Sequence, residues 1–338
     1  MRNSPRSKDP AGEGRERLSP NPPQPAVIAR PGYRWAGRIL GFRRMMRRWI
    51  TPLLFIASAL LLIVFFIILP AVQTVWLSFF TKEGTFAGLQ NFAQVLKDSE
   101  TLNLRRFPSQ SPPWGSIVHN ILWIFLHLPL TVGLGLVLAV LLERAWGATL
   151  LKSIIFLGMV TPMIVGGVII RFLFDENAGL LPAIFRAIGL PELGRSWTAY
   201  PETALLALIL GSVWLWVGFS MVLYSAGLST IPREYYEAAS VDGANAFQQF
   251  LHITVPSLRP VTTVIVAMTI LWELKIFDIV YTATLGGPGG SSMVLALQMY
   301  FYAFRALQFH QAAAVATLLT ALTLVVGVWF VRTTRAME

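Results

Sequence analysis

Cysteine is absent from the 338 residues, which removes disulfides, thiolate metal sites and cysteine nucleophiles while leaving the compartment open. Histidine is scarce at four residues, and Asp and Glu together number 17. Charged residues make up 13% of the chain against 55% hydrophobic, about half the charged share of a water-soluble domain. The few charges are gathered into blocks. None falls between Trp49 and Thr81, and charge-free runs also cover Phe107 to Leu142, Ser153 to Ile170, Thr203 to Pro232 and Ala306 to Val331. Each is long enough to cross about 30 Å of hydrocarbon at about 1.5 Å per residue.

A further segment, Ser257 to Tyr281, is apolar through Leu271 and then carries Glu273, Lys275 and Asp278. The expectation is an all-α polytopic membrane protein with six transmembrane helices. The run beginning at Trp49 is longer than the core of a signal peptide and reads as an anchor.

Net charge is +10, yet twelve of the 27 basic residues precede Trp49, in a stretch rich in Pro, Ser and Arg. Residues 1–36 read as a disordered basic extension and 37–49 as a basic juxtamembrane segment, suited to anionic lipid and to fixing orientation. No nucleic-acid partner is expected. With the amino terminus in the cytoplasm, 18 Lys and Arg lie on that side and eight on the other. The bias predicts a multi-pass protein of the prokaryotic cytoplasmic (inner) membrane with both termini in the cytoplasm.

In that topology residues 50–116 hold the first helix and an extracytoplasmic loop, 117–332 the main transmembrane core with a cytoplasmic loop at 229–258, and 333–338 a cytoplasmic tail. Gly286 to Gly290 breaks the fifth helix on its outer side. Met293 to Phe304 is too short to cross and reads as interfacial or re-entrant.

The 229–258 loop is unlike an ordinary connection. Pro232 can occupy the first turn of a helix, Glu234 suits its positive end, and Tyr235, Ala238 and Ala239 follow helical spacing. Gly243 ends it by permitting a left-handed turn, and a second short helix from about Ala244 to Ile253 leads back towards Pro256. Small side chains on a projecting helix allow close approach of a partner. An interfacial helix lying on lipid is the competing reading, and it would carry more Lys and Arg than the single Arg233 before Arg259.

Glu237-Ala-Ala, then Gly243, then Ile253-x-x-Pro256 resembles the EAA motif of ABC importer permeases, with Val255 in place of the family's Leu. Pro70 with Trp76-Leu-Ser-Phe79, Gly88-Leu-Gln-Asn-Phe92, Phe277-Asp-Ile-Val-Tyr281 and Gly286-Gly-Pro288 resemble the carbohydrate-type members. Phe309-His-Gln-Ala-Ala-Ala314 departs from the family where a Gly commonly precedes the alanines.

The resemblance implies the type I ABC importer permease fold. It also implies that Glu237, Ala238, Ala239, Gly243, Ile253 and Pro256 form a coupling helix seated in a cytoplasmic ATPase. The implied partners are a second homologous permease, an ATPase subunit dimer and an extracytoplasmic solute-binding protein. ATP and Mg would belong to the ATPase, with no cofactor on this chain. The cargo implied is a sugar, oligosaccharide or polyol, with another small solute as the alternative.

Trp272, Glu273, Lys275 and Asp278 are the candidate pathway residues, because charges at membrane depth face the bundle interior or water. Lys275 and Asp278, three apart, can pair on one helix face. His119, Asn120 and His127 have no carboxylate nearby in sequence and read as interhelical hydrogen-bonding groups, with no metal site assigned. Gly286 to Gly290 lacks the Lys-Ser/Thr of a phosphate loop. An ion-coupled carrier would favour paired half-helices and several intramembrane charges. A membrane-embedded enzyme would need clustered His, Asp or Glu. No catalytic residue is assigned.

Overall fold

The computed structural model describes residues 50, 52–143 and 145–336. The extension and juxtamembrane segment expected at 1–36 and 37–49 lie outside the described residues. The chain divides into two compact units, one ending at Phe65 and the other covering Phe66–Glu338. Helix α1, Pro52–Ser78, contains a π-helical turn at Val64–Ile68. Up to Phe65 its side chains are exposed, and they are almost all apolar. A helix that is apolar all round belongs in lipid or against other helices.

In the second unit every regular element is helical among the described residues, and one isolated bridge joins Phe80 to Phe86. Helix α2 is Gln90–Lys97, α3 Ser116–Leu141, α4 Ala148–Val160, α5 Met163–Leu173, α6 Leu180–Ala187 and α7 Pro201–Leu228. Then come α8, Arg233–Val241, and α9, Ala246–Ser257, with a π-helical stretch inside it. The chain closes with α10 Arg259–Leu274, α11 Asp278–Ala283, α12 Leu295–Tyr300 and α13 Phe309–Arg335.

Helix α7 is the axle of the bundle. Pro201 sits in its first turn with Glu202 beside it, and Leu205, Leu208, Ile209, Leu215 and Met221 are buried along it. Helices α3, α4, α5, α10 and α11 pack around it. Close approach depends on missing side chains, as expected where lipid gives no hydrophobic push between helices. A Cβ on Gly158 of α4 would lie 2.5 Å from the Trp214 carbonyl oxygen of α7.

Four helices, α1, α3, α7 and α13, are long and apolar enough to cross a membrane. The bent pairs α4–α5 and α9–α10 raise the number to as many as six if each is one span. The uninterrupted third segment expected over Ser153 to Ile170 is instead broken, with α4 and α5 at 105°. Its physical cause is Pro162, which pushes Thr161 into an extended conformation (ψ 127°) and cannot donate to the preceding turn.

The fifth segment also departs from a single helix to Tyr281. Helix α10 stops at Leu274, and Lys275 to Phe277 separate it from α11. The expected Lys275–Asp278 pairing therefore fails: the two side chains flank a break, and no ion pair joins them among the described residues.

The Gly286–Gly290 turn ends this region as read from the sequence. Met293 to Gln298 then pack inside the protein, so most of α12 is buried among its neighbours.

Candidate functional site

Two polar constructions stand out. The first is the elbow made by α8 and α9. Pro232 is the N-cap of α8, with ψ of 134°, and Glu234 lies in the first turn. At the other end Gly243 adopts φ +82°, the left-handed geometry that glycine takes without strain. Its N–H donates to Ser240 O at 3.1 Å, and the Ala244 N–H donates to Ala239 O at 2.9 Å. Together these bonds form a Schellman C-cap.

Asn245 then opens α9 with a reciprocal capping box. Gln248 N donates to Asn245 Oδ1 at 2.9 Å, and Asn245 N donates to Gln248 Oε1 at 2.8 Å. Gln249 Nε2 reaches back to Ser240 Oγ at 2.8 Å, and Tyr236 and Thr254 join their hydroxyls at 3.0 Å. The elbow is thus held by its own hydrogen bonds. Helix α8 buries none of its residues: Glu237 and Ala238 are exposed, Ala239 is half-buried, and Tyr235 and Val241 stand out. Ile253 and Pro256, half-buried in α9, lead the chain back to α10.

The second construction lies inside the bundle. Glu273, fully buried near the end of α10, places Oε1 2.7 Å from His127 Nδ1 of α3, which is also fully buried. The carboxylate that His127 lacked in sequence is therefore supplied across the bundle. Glu273 Oε2 has no hydrogen-bond partner. Asn120 ties three elements together: Nδ2 donates to Glu273 O at 3.1 Å, and Oδ1 accepts from Leu295 N at 2.9 Å. His119 Nδ1 lies 2.7 Å from Met293 O in the segment before α12, so all three α3 residues bond to segments distant in sequence.

Trp272 stacks on Trp216 at 4.8 Å, and Trp216 Nε1 donates to Thr269 Oγ1 at 2.9 Å. Of the four pathway candidates, Trp272 and Glu273 turn inward while Lys275 and Asp278 are exposed beyond the helix end. They do not form one cluster. Lys275 borders a cavity of about 600 Å³, walled mainly by Phe277, Tyr300, Phe304 and Phe309.

Two features escaped the sequence reading. The capping box had a local signal in Asn245-x-x-Gln248. The His127–Glu273 contact had none, because 146 positions separate its members.

A helical bundle with long apolar helices, a buried polar centre and a self-capped, exposed elbow is the architecture of a polytopic membrane protein. Residues 131–335 match the family of binding-protein-dependent transport system inner membrane components, and the chain belongs to that family as an ABC transporter permease of the inner membrane. It is 57% identical over 289 residues to the Probable ABC transporter permease protein of Pyrococcus horikoshii, covering 85% of this chain and 99% of that one. Over 291 residues it is 34% identical to the Alpha-glucoside transport system permease protein of Rhizobium meliloti, with 84% and 82% covered. In fold it is similar to a chain in the crystal structure of a bacterial ABC transporter involved in import of the acidic polysaccharide alginate. That TM-score is 0.71 at 18% identity, with 88% of this chain and 99% of that chain covered.

Proposed function

We propose that this permease is one half of the translocation pathway of an ATP-driven importer for a sugar, oligosaccharide or polyol. The elbow carries the reading: α8 buries none of its residues, yet a Schellman cap closes its C-terminal end and side-chain hydrogen bonds tie it to α9, as suits a rigid lever that a partner grips. In this reading Glu237, Ala238, Ala239 and Gly243 seat in a groove of a cytoplasmic ATPase, with Ile253 and Pro256 carrying its movement to α10. A second permease completes the pathway, two ATPase copies supply the energy with ATP and Mg, and an extracytoplasmic binding protein delivers cargo. Both termini and the elbow are cytoplasmic, and the bent pairs α4–α5 and α9–α10 count as spans, giving six. ATPase closure shifts the bundle between inward-open and outward-open states.

The carbohydrate class rests on the alpha-glucoside relative and on Trp216, Trp272 and Tyr281, whose rings are suited to sugar faces. The test is ATP-dependent uptake of labelled maltose, trehalose and lactose by the complete importer in proteoliposomes. Uptake of at least one, abolished by Glu237→Lys while the complex still assembles, is expected. Uptake unaffected by Glu237→Lys contradicts the coupling role, and failure with all three sugars contradicts the cargo class.

A further inference from the structure

A second concavity, of about 790 Å³, opens between the end of α5, the 196–199 turn and α11 with its following loop. It falls in the range of small-molecule sites. Its position is fixed by the bundle axle: the 196–199 turn precedes α7 and the elbow follows it, so about 42 Å of helix separates the two at about 1.5 Å per residue.

The chemistry of the lining is specific. Arg171, Asp175, Ser196, Thr198, Tyr281 and Thr282 all border the space. One guanidinium and one carboxylate cancel in charge, which selects neither anions nor cations. Arg171 makes no ion pair among the described residues, leaving its fork of donors free. Asp175 Oδ1 accepts the N–H groups of Asn177 and Ala178, each at 2.9 Å. Those two bonds, followed by the nearby Arg171 charge, hold the Asp175 carboxyl below its usual range, so it stays an acceptor.

Ser196 and Thr198 spend their hydroxyls on no side-chain hydrogen bond among the described residues. Thr282 Oγ1 donates to Asp278 O at 2.8 Å and retains acceptor capacity. Tyr281, stacked on Phe277 at 5.2 Å, adds an aromatic wall. Donors, acceptors and a ring around a neutral concavity are what a polyhydroxylated, uncharged ligand requires.

We propose that this concavity is a vestibule site for a neutral di- or oligosaccharide, occupied before the sugar enters the bundle. It rests on the importer reading for its biological use, and the binding itself can be measured separately.

The cysteine-free chain makes the test direct. Thr198→Cys, in the complete importer in proteoliposomes, is labelled with a membrane-impermeant maleimide with and without maltose or trehalose. Leu190→Cys serves as an exposed control outside the concavity. With a Kd of about 1 mM, about 10 mM sugar leaves roughly a tenth of the sites free, so Thr198→Cys labelling slows about tenfold and Leu190→Cys labelling is unchanged. Protection of neither variant, or equal protection of both, overturns the site. Sugar uptake is measured in the same vesicles. Protection without uptake upholds the site and removes the importer reading, whereas uptake without protection does the reverse.

Discussion

Gly243 offers a test in which geometry alone sets the magnitude. Its φ of +82° terminates α8, and a Cβ built on it would meet nothing within 4 Å. An added Cβ therefore meets no neighbour there, and the leading cost of a substitution is conformational. For a β-branched residue in the left-handed region that cost is about 1–2 kcal/mol, a factor of roughly 5–30 in the ratio of native to rearranged elbow. Gly243→Val should therefore insert and assemble normally, yet lower ATP-dependent uptake in proteoliposomes measurably, by at most about 5- to 30-fold. Gly243→Asn should lose much less, because asparagine visits the left-handed region more readily. Equal losses for Val and Asn would show that side-chain size, not backbone conformation, matters. Wild-type uptake with Val would refute the claim that the capped elbow is the working element.

The buried pair can be tested by a double-mutant cycle. Glu273→Leu or His127→Leu alone should each destabilise the detergent-purified protein by about 1–3 kcal/mol, read as a fall in Tm. The double variant should lose less than the sum, since neither group is then left unpaired, and strict additivity would contradict the contact. Gly167→Val should prevent α5 from seating on α11, because a Cβ there meets Thr282 Oγ1 and comes 3.0 Å from Ile279 O. Loss of folded yield by size-exclusion chromatography is expected, and normal yield would refute the packing. Asn120→Leu should free α12 at a cost of about 1 kcal/mol per lost bond, seen as faster amide exchange over Leu295–Tyr300.

Much of the architecture was legible because lipid imposes a coarse rule: long charge-free runs become helices. The runs around α1, α3, α7 and α13 read correctly on length alone. The rule fails where backbone detail decides, and so Thr161-Pro162 split what composition presented as one apolar segment. The same holds at Lys275, where the helix ends before the spacing of Lys275 and Asp278 can act. The elbow was readable because its determinants are local, Pro232 entering, Gly243 leaving and alanines between. The polar centre was not, since His127 and Glu273 meet only once α3 and α10 are packed. A carboxylate in an apolar segment announces that it needs a partner, without saying which helix provides it.

Proximity tests most directly whether an ATPase grips α8. Ala238→Cys, exposed on α8, and Leu190→Cys, beyond the far end of α7, are each treated with a short bifunctional maleimide in the assembled importer, with single cysteines along the ATPase groove. A permease–ATPase cross-link from Ala238→Cys whose yield changes on adding ATP is expected, and none from Leu190→Cys. Absence of the Ala238→Cys cross-link in a complex that still transports would contradict that grip.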